Sequence, residues 1–249
     1  VQNRMLEEID YKKEARVHRA FAAAFENDPE FKVPRVILST ESMLISEWMD
    51  GKPLSRVIES GTQEERDRVG LLYERFLLSA PSRCGYLHAD PHPGNFLIDK
   101  NQNLVAIDFG CIKQVPEEFY VPYFELAKPE VTNNSELFNA KLYELEILRA
   151  DDSENELAYF TKIFHELLSL FTKPFHDDYF DFSDEDFFGK IAKMGEEFAK
   201  DSQLRKMNGN RGSKHFLYIN RTFFGLYNLM HDLKARVNTQ NYMIYQQKS

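Results

Sequence analysis

Eight consecutive residues, His88-Ala89-Asp90-Pro91-His92-Pro93-Gly94-Asn95, set two imidazoles, a carboxylate and an amide on one proline-stiffened loop. Asp108-Phe109-Gly110 follows soon after. Between them, Phe96-Leu97-Ile98 and Leu104-Val105-Ala106-Ile107 flank the polar run Asp99-Lys100-Asn101-Gln102-Asn103, which is a β-hairpin signature. In such a hairpin the residue before the first strand and the residue after the second lie side by side, with α-carbons about 5 Å apart. The spacing therefore predicts that Asn95 and Asp108 meet. An amide oxygen and a carboxylate at one point form a hard-oxygen site, suited to magnesium carrying a nucleotide phosphate rather than to zinc or copper. Asp90 is placed to accept a hydroxyl proton or to orient a nucleophile beside that phosphate. His92 is either a phosphate donor or a hydrogen-bonding member of the loop, and His88 braces the loop.

These side chains need a scaffold. Leu6, Ile9, Val17, Ala20, Phe21 and Ala24 recur at helical spacing and predict an amphipathic helix from Asn3 to Phe25, stopped by Asn27-Asp28-Pro29. Two β-rich runs follow, 33–38 and 43–49, joined by the turn Ser39–Ser42. Asp50-Gly51-Lys52-Pro53 then leads into a helical region. Thr62 is the predicted N-cap of a helix over Gln63–Ser79, with Pro81 as the next breaker. Beyond Pro116, periodic segments predict helices near 135–148, 154–171, 183–200 and 213–237. The fold class expected is α+β, one helix and two strands over residues 1–50 and a mostly helical region over 51–249, which fits two lobes.

With 31 Lys plus Arg against 40 Asp plus Glu, the 249-residue chain carries a formal charge of −9, which excludes a generally basic nucleic-acid binder. Its 43% hydrophobic and 14% aromatic residues are ample for a folded core. The two cysteines, Cys84 and Cys111, have no zinc-type spacing, and the chain reads as intracellular and reduced. No run approaches the roughly 20 apolar residues of a bilayer-crossing helix. Opening at Val1 within a helical pattern, the chain reads as a fragment. Asp177, Asp178, Asp181, Asp184, Glu185 and Asp186 lack EF-hand spacing and read as a solvated loop. The phenylalanines of the C-terminal helices read as core rather than as an isoprenoid groove.

His-x-Asp-x-x-x-x-Asn followed by Asp-Phe-Gly is the kinase-type catalytic set, here with Ala89 in place of arginine. The chain resembles the UbiB family of atypical protein-kinase-like proteins, associated with coenzyme Q (ubiquinone) biosynthesis in bacteria and mitochondria. The matching pieces are Leu6-Glu7-Glu8-Ile9-Asp10 and the helix after it, Val33-Pro34, Glu47-Trp48-Met49-Asp50-Gly51, the His88–Asn95 loop and Asp108-Phe109-Gly110. The resemblance implies a protein-kinase-like fold, in which residues 1–50 are a partial small lobe and 51–249 the large lobe, and ATP and Mg2+ as cofactors. Glu8 and Asp10 would be the family's E-x-D pair, holding an N-terminal extension over the active site. They also stand at i,i+4 from Lys12 and i,i+3 from Lys13, as in ordinary helix-surface pairs. Glu14 would pair with a nucleotide-contacting lysine. Backbone groups of Glu47 and Met49 would bind adenine, with Ser46 at the back of the pocket and Trp48 either hinge surface or core. Asp90 would be the catalytic-loop carboxylate, Asn95 and Asp108 the magnesium ligands, and Gly110 the source of backbone freedom after Asp108.

An alanine-rich nucleotide loop, a strand lysine and a K-x-G-Q element belong to the family and do not occur in this chain. The fragment is therefore expected to bind Mg-ATP poorly and the full-length protein to bind it. Lys128-Pro129-Glu130 is the nearest approach to an A-P-E motif, which disfavours a protein substrate and points to ATPase activity or to a small or lipid-like acceptor. Partners implied are a quinone-precursor lipid, a membrane surface and quinone-biosynthesis proteins, with no nucleic acid; the place is the bacterial cytoplasm or the mitochondrial matrix. Two rivals remain: a phosphotransferase of aminoglycoside or choline kinase type, which shares H-x-D-x-H-P-x-N, and a non-catalytic pseudokinase scaffold. Glu8-Ile9-Asp10 followed by Glu14-Ala15 separates the first rival from the UbiB reading.

Overall fold

The computed structural model describes residues 10–176, 178–200 and 214–238. Helix α1 (Tyr11–Phe25) begins where the Asp10 side chain accepts the Lys13 amide at 2.9 Å, an N-cap bond. The expected start at Asn3, and with it Glu8, lies outside the described residues. The helix buries Ala15, Val17, His18, Phe21 and Phe25.

Strands β1 (Phe31–Lys32), β2 (Val36–Ser39) and β3 (Leu44–Ser46) are shorter than the runs that predict them. Pro34 has no N–H for a ladder and separates β1 from β2. Strand β3 stops at Ser46, although the Glu47 N–H still reaches Arg35 O at 2.9 Å. After β4 (Lys52–Pro53) come α2 (Leu54–Ser60) and α3 (Gln63–Cys84). A capping box starts α3: Glu65 N–H donates to Thr62 Oγ1, and Thr62 N–H to the Glu65 carboxylate. The helix runs past Pro81, contrary to the expected stop at Ser79. A proline in the last turn removes a single helical bond, and the end comes instead at Gly85, whose φ of 74° turns its N–H onto Pro81 O.

Strand β5 (Tyr86–His88) occupies the start of the Gly85–Asn95 stretch, whose proline and glycine content predicts a loop. It is stabilised by antiparallel pairing with β8 (Ile112–Gln114), a partner remote in sequence. Between them, β6 (Phe96–Ile98) and β7 (Leu104–Ala106) form the predicted hairpin. A four-stranded sheet in the order β1-β7-β6-β4 joins this hairpin to β1, which runs parallel to β7. Lys32 of β1 meets the buried Asp99 carboxylate at 2.6 Å, while Asn101 and Asn103 N–H groups donate to the same side chain. Burial opposes the charge on Asp99, but Lys32 and these two amides outweigh it and lower its pKa. One apolar core runs from Phe21, Phe25 and Phe31 to Phe76, Phe96 and Phe109.

The rest is helical: α4 (Glu117–Glu125), α5 (Pro129–Thr132), α6 (Ser135–Glu144), α7 (Glu154–Phe171), α8 (Glu185–Lys200) and α9 (Lys214–Asp232). Phe160, Phe164, Phe171 and Phe223 are buried among them, as core. Helix α9 stops five residues short of Val237, because Lys234 takes a φ of 49° and turns the chain into β10 (Arg236–Val237). That strand pairs with β9 (Phe180–Asp181), where Arg236 meets Asp181 at 3.0 Å. Other members of the acidic run also have structural work: Asp184 accepts the Asp186 N–H at the start of α8, and Asp186 pairs with Lys190. Among the described residues no group of three or more His, Cys, Asp or Glu is placed to hold a metal, and no helix is long and apolar enough to cross a membrane.

Candidate active site

The β6–β7 register brings Asn95 and Asp108 to the same end of the hairpin, with one correction. Phe96 pairs with Ala106, and the Ile107 N–H reaches Asn95 O at 3.0 Å. Pairing thus continues one residue beyond the strands, so Ile107 faces Asn95 and Asp108 stands one position further on.

Asn95 closes the catalytic-type loop from within. Its Nδ2 donates to Asp90 Oδ2 at 3.0 Å and to Asp90 O at 3.1 Å. With the amide nitrogen so placed, Oδ1 is left as an acceptor. His92 turns out to serve the loop: Nδ1 accepts the Gly94 N–H at 3.0 Å and caps the short 3-10 turn Pro93–Asn95. This bond puts the proton of a neutral ring on Nε2.

His88 ties this loop to Asp108. Its Nε2 lies 2.9 Å from Asp108 O, and the ring is buried among Phe21, Phe76, Phe96 and Phe109. Burial lowers its pKa, against the pull of the Asp108 carbonyl and of the Asp108 and Asp90 carboxylates, so the ring is neutral and donates from Nε2. Both carboxylates therefore lie within electrostatic reach of one imidazole. Asp108 is exposed, and its Oδ1 accepts the Gly110 N–H at 2.8 Å. Gly110 does not adopt a positive φ; among the described glycines only Gly85 does. It contributes a donor and a close approach, since a Cβ there would stand 3.3 Å from Asp108 Oδ1.

Phe109 plugs the space between α1 and the loop. Buried, it stacks on His18 at 4.3 Å and lies 5.1 Å from the Phe21 ring. His18 belongs to no motif; its signal in the sequence is a polar side chain one turn from Glu14 and on the same face as Phe21 and Phe25. Burial lowers its pKa. The Glu14 carboxyl is pushed up, first by burial and then by the Asp108 charge, so α1 brings Glu14 to the same site. No ion pair to Glu14 forms among the described residues. Asp10 is exposed and caps α1.

Ser46 pairs with Val36, and the Glu47 carboxylate binds Arg35 through two 3.3 Å bonds. Glu47 and Met49 line a cavity of about 420 Å³ together with Ala22, Phe25, Val33 and Arg35, whereas Asp90, Asn95 and Asp108 do not line it. Trp48 is at the surface and not in the core: it is 86% exposed, with Nε1 donating to Asp50 at 3.0 Å. The donor set at the hairpin mouth, Asn95 Oδ1 and the Asp108 carboxylate, is all hard oxygen and fits Mg2+.

A family profile described as the ABC1 atypical kinase-like domain matches residues 1–141. "Atypical kinase COQ8B, mitochondrial" of Danio rerio is 30% identical over 129 residues, 51% of this chain and 20% of that protein. "Protein ACTIVITY OF BC1 COMPLEX KINASE 3, chloroplastic" of Arabidopsis thaliana is 31% identical over 119 residues, 46% of this chain and 17% of its own length. The matched segment thus spans about a fifth of these relatives. Among solved structures, Rv3197 of Mycobacterium tuberculosis in complex with erythromycin is 26% identical, with a TM-score of 0.73 over 95% of this chain and 57% of that one.

Proposed function

The chain belongs to the ABC1 atypical kinase-like family, and from that premise we propose that, within its whole protein, it binds Mg-ATP and transfers or hydrolyses the terminal phosphoryl group in support of isoprenoid-quinone assembly. The observation that carries the reading is the linkage of Asp90 to Asn95 at 3.0 Å and, through His88, of their loop to Asp108. Phosphoryl transfer needs little covalent help from a protein but strict placement of charge, and this linkage fixes the Asp90 carboxylate on Asn95 and the backbone of Asp108 on their loop. Asn95 and Asp108 would hold Mg2+, which when bound neutralises charge on the phosphates. Asp90 Oδ2 is held by Asn95, which leaves Oδ1 to accept the proton of an attacking hydroxyl or water. Glu14, at the face of α1 that reaches Asp108, is placed to orient a cationic side chain against the nucleotide.

A small or lipid-like acceptor, or water, is favoured over a protein. After Gly110 the chain enters β8 almost at once, and α4 begins at Glu117, which leaves no room for a long peptide-docking loop. The quinone assignment rests on the UbiB resemblance and on the COQ8B name of the zebrafish relative; the sites of action proposed with it are the bacterial cytoplasm or the mitochondrial matrix, with a membrane surface and quinone-biosynthesis proteins as partners.

The test is calorimetry and steady-state ATP turnover on the full-length protein. Asp90→Asn should keep nucleotide affinity within a few-fold and lower turnover by about 10²–10⁴. Asp108→Asn should remove the magnesium-dependent part of the affinity. Unchanged turnover in Asp90→Asn would overturn the catalytic assignment.

A further inference from the structure

Helix α9 supports the catalytic loop from below, and the support has no side chain at its closest point. A Cβ added at Gly225 would stand 2.0 Å from Pro91 Cγ, 3.0 Å from Pro91 Cβ and 3.3 Å from Pro91 Cδ. Carbon atoms pack at about 3.5–4.0 Å, so no methyl group fits there. The obstacle is not a flexible tip that can swing away: the pyrrolidine ring is locked to the backbone at φ. One turn earlier on α9, the buried Thr222 hydroxyl bonds to Tyr218 O at 2.9 Å and approaches His88 O at 3.5 Å. The helix itself is tethered on another side by Tyr123, whose hydroxyl donates to Asn220 at 2.8 Å. Thr222 and Gly225, at i and i+3, therefore touch the loop at His88 and at Pro91, on either side of Asp90.

We propose that Gly225 is a positioning residue for Asp90: its bare backbone seats the Pro91 ring, and that seat fixes where the Asp90 carboxylate stands relative to Asn95. The proposal rests on the reading of Asp90 as the catalytic-loop carboxylate. Reaching even a ~3.5 Å contact from 2.0 Å requires a movement of about 1.5 Å. Misplacement of about 1 Å can cost about a hundredfold in rate. Alanine favours a helix interior more than glycine does, so propensity alone predicts no loss for a Gly225→Ala exchange.

The experiment is a double-mutant cycle in the full-length protein with Gly225→Ala, Pro91→Ala and the pair together, read by ATP turnover and by hydrogen exchange of peptides covering residues 86–98. Gly225→Ala should lower kcat about a hundredfold with KM for ATP within about twofold, and should speed exchange in the loop. The double variant lacks the Pro91 Cγ and Cδ that make the 2.0 Å and 3.3 Å contacts, and it should recover most of both losses. Wild-type kcat and wild-type exchange in Gly225→Ala would overturn the proposal while leaving the catalytic reading intact. So would losses that the double variant fails to recover, or a failure of both Gly225→Ala and the double variant to fold. If Asp90→Asn leaves turnover unchanged, the catalytic reading fails instead, and the exchange arm still decides whether Gly225 seats the loop.

Discussion

Glu74 lies within α3, is 2% exposed, and has an Oε2 without a hydrogen-bond partner. One turn before it, Gly70 packs so closely on the end of α9 and the turn after it that an added Cβ would stand 2.8 Å from Ala235 Cβ and 3.0 Å from the Met230 sulfur. Glu74 therefore projects from a packed helix face, and burial raises its pKa well above the ordinary 4.5. The folded state keeps a proton that the unfolded chain releases above pH 4.5, so the stability associated with this carboxyl is complete below that pH and is lost as pH rises. The loss grows by about 1.4 kcal/mol per pH unit while the buried acid stays protonated. Between pH 4.5 and 6.0 it amounts to about 2 kcal/mol, or about 4–8 °C in Tm for a chain of this size. Glu74→Gln is neutral throughout. Melts of both proteins by circular dichroism at constant ionic strength should coincide near pH 4.5, and the variant should pull ahead by about 4–8 °C at pH 6.0. All other titrating groups are common to both, so the difference isolates Glu74. Parallel curves, or a gap that narrows with rising pH, would refute a buried neutral carboxyl. Well below pH 4.5, where the carboxyl is neutral in both the folded and unfolded chain, Glu74→Met, which deletes the orphan oxygen, should be more stable than wild type by about 1–3 kcal/mol.

His18 titrates with the opposite sign: its pKa is lowered from 6.5 by burial, so stability is complete above pH 6.5 and is lost as the unfolded chain takes up a proton below it. His18→Leu should flatten the fall of Tm between pH 6.5 and 5, and an unchanged slope would show that the ring is wet. Trp48 is the chain's sole tryptophan and stands exposed between the two hinge residues. In the full-length protein the part of the fluorescence that disappears in Trp48→Phe should respond to Mg-ATP but not to Mg2+ alone; silence of that part, with binding verified by calorimetry, would place the nucleotide away from Glu47 and Met49.

The parts of the fold readable from sequence are those whose causes are local. Thr62 and Glu65 cap α3 because a hydroxyl and a carboxylate three residues apart satisfy each other's amides. Asp99, Asn101 and Asn103 close the β6–β7 hairpin within one turn. The readings that needed correction concern partners far away in the chain. Strand β5 looks like loop until β8 is beside it, and α3 outlasts Pro81 because Gly85 ends it four residues later. Asn95 and Asp108 were expected face to face, but backbone pairing extends to Ile107 and shifts Asp108 by one position.

The same distinction runs through the candidate site. Asp90, Asn95 and Asp108 announce themselves as motif residues, yet neither the loop nor the hairpin can hold them alone. His88 bonds across to Asp108 O from a pocket walled by Phe21, Phe76, Phe96 and Phe109. Phe109 is held from the other side by His18, and Pro91 by Gly225. Together these contacts join the acid cluster to three helices, α1, α3 and α9. A large-to-small change such as Phe76→Ala would cost about 3–5 kcal/mol of stability, and it would also unseat His88 with no motif residue substituted. Activity lost from such a variant should return in part when the protein is cooled or stabilised, whereas activity lost from Asp90→Asn should not. Comparing the two temperature profiles separates residues that form the site from residues that hold it in place.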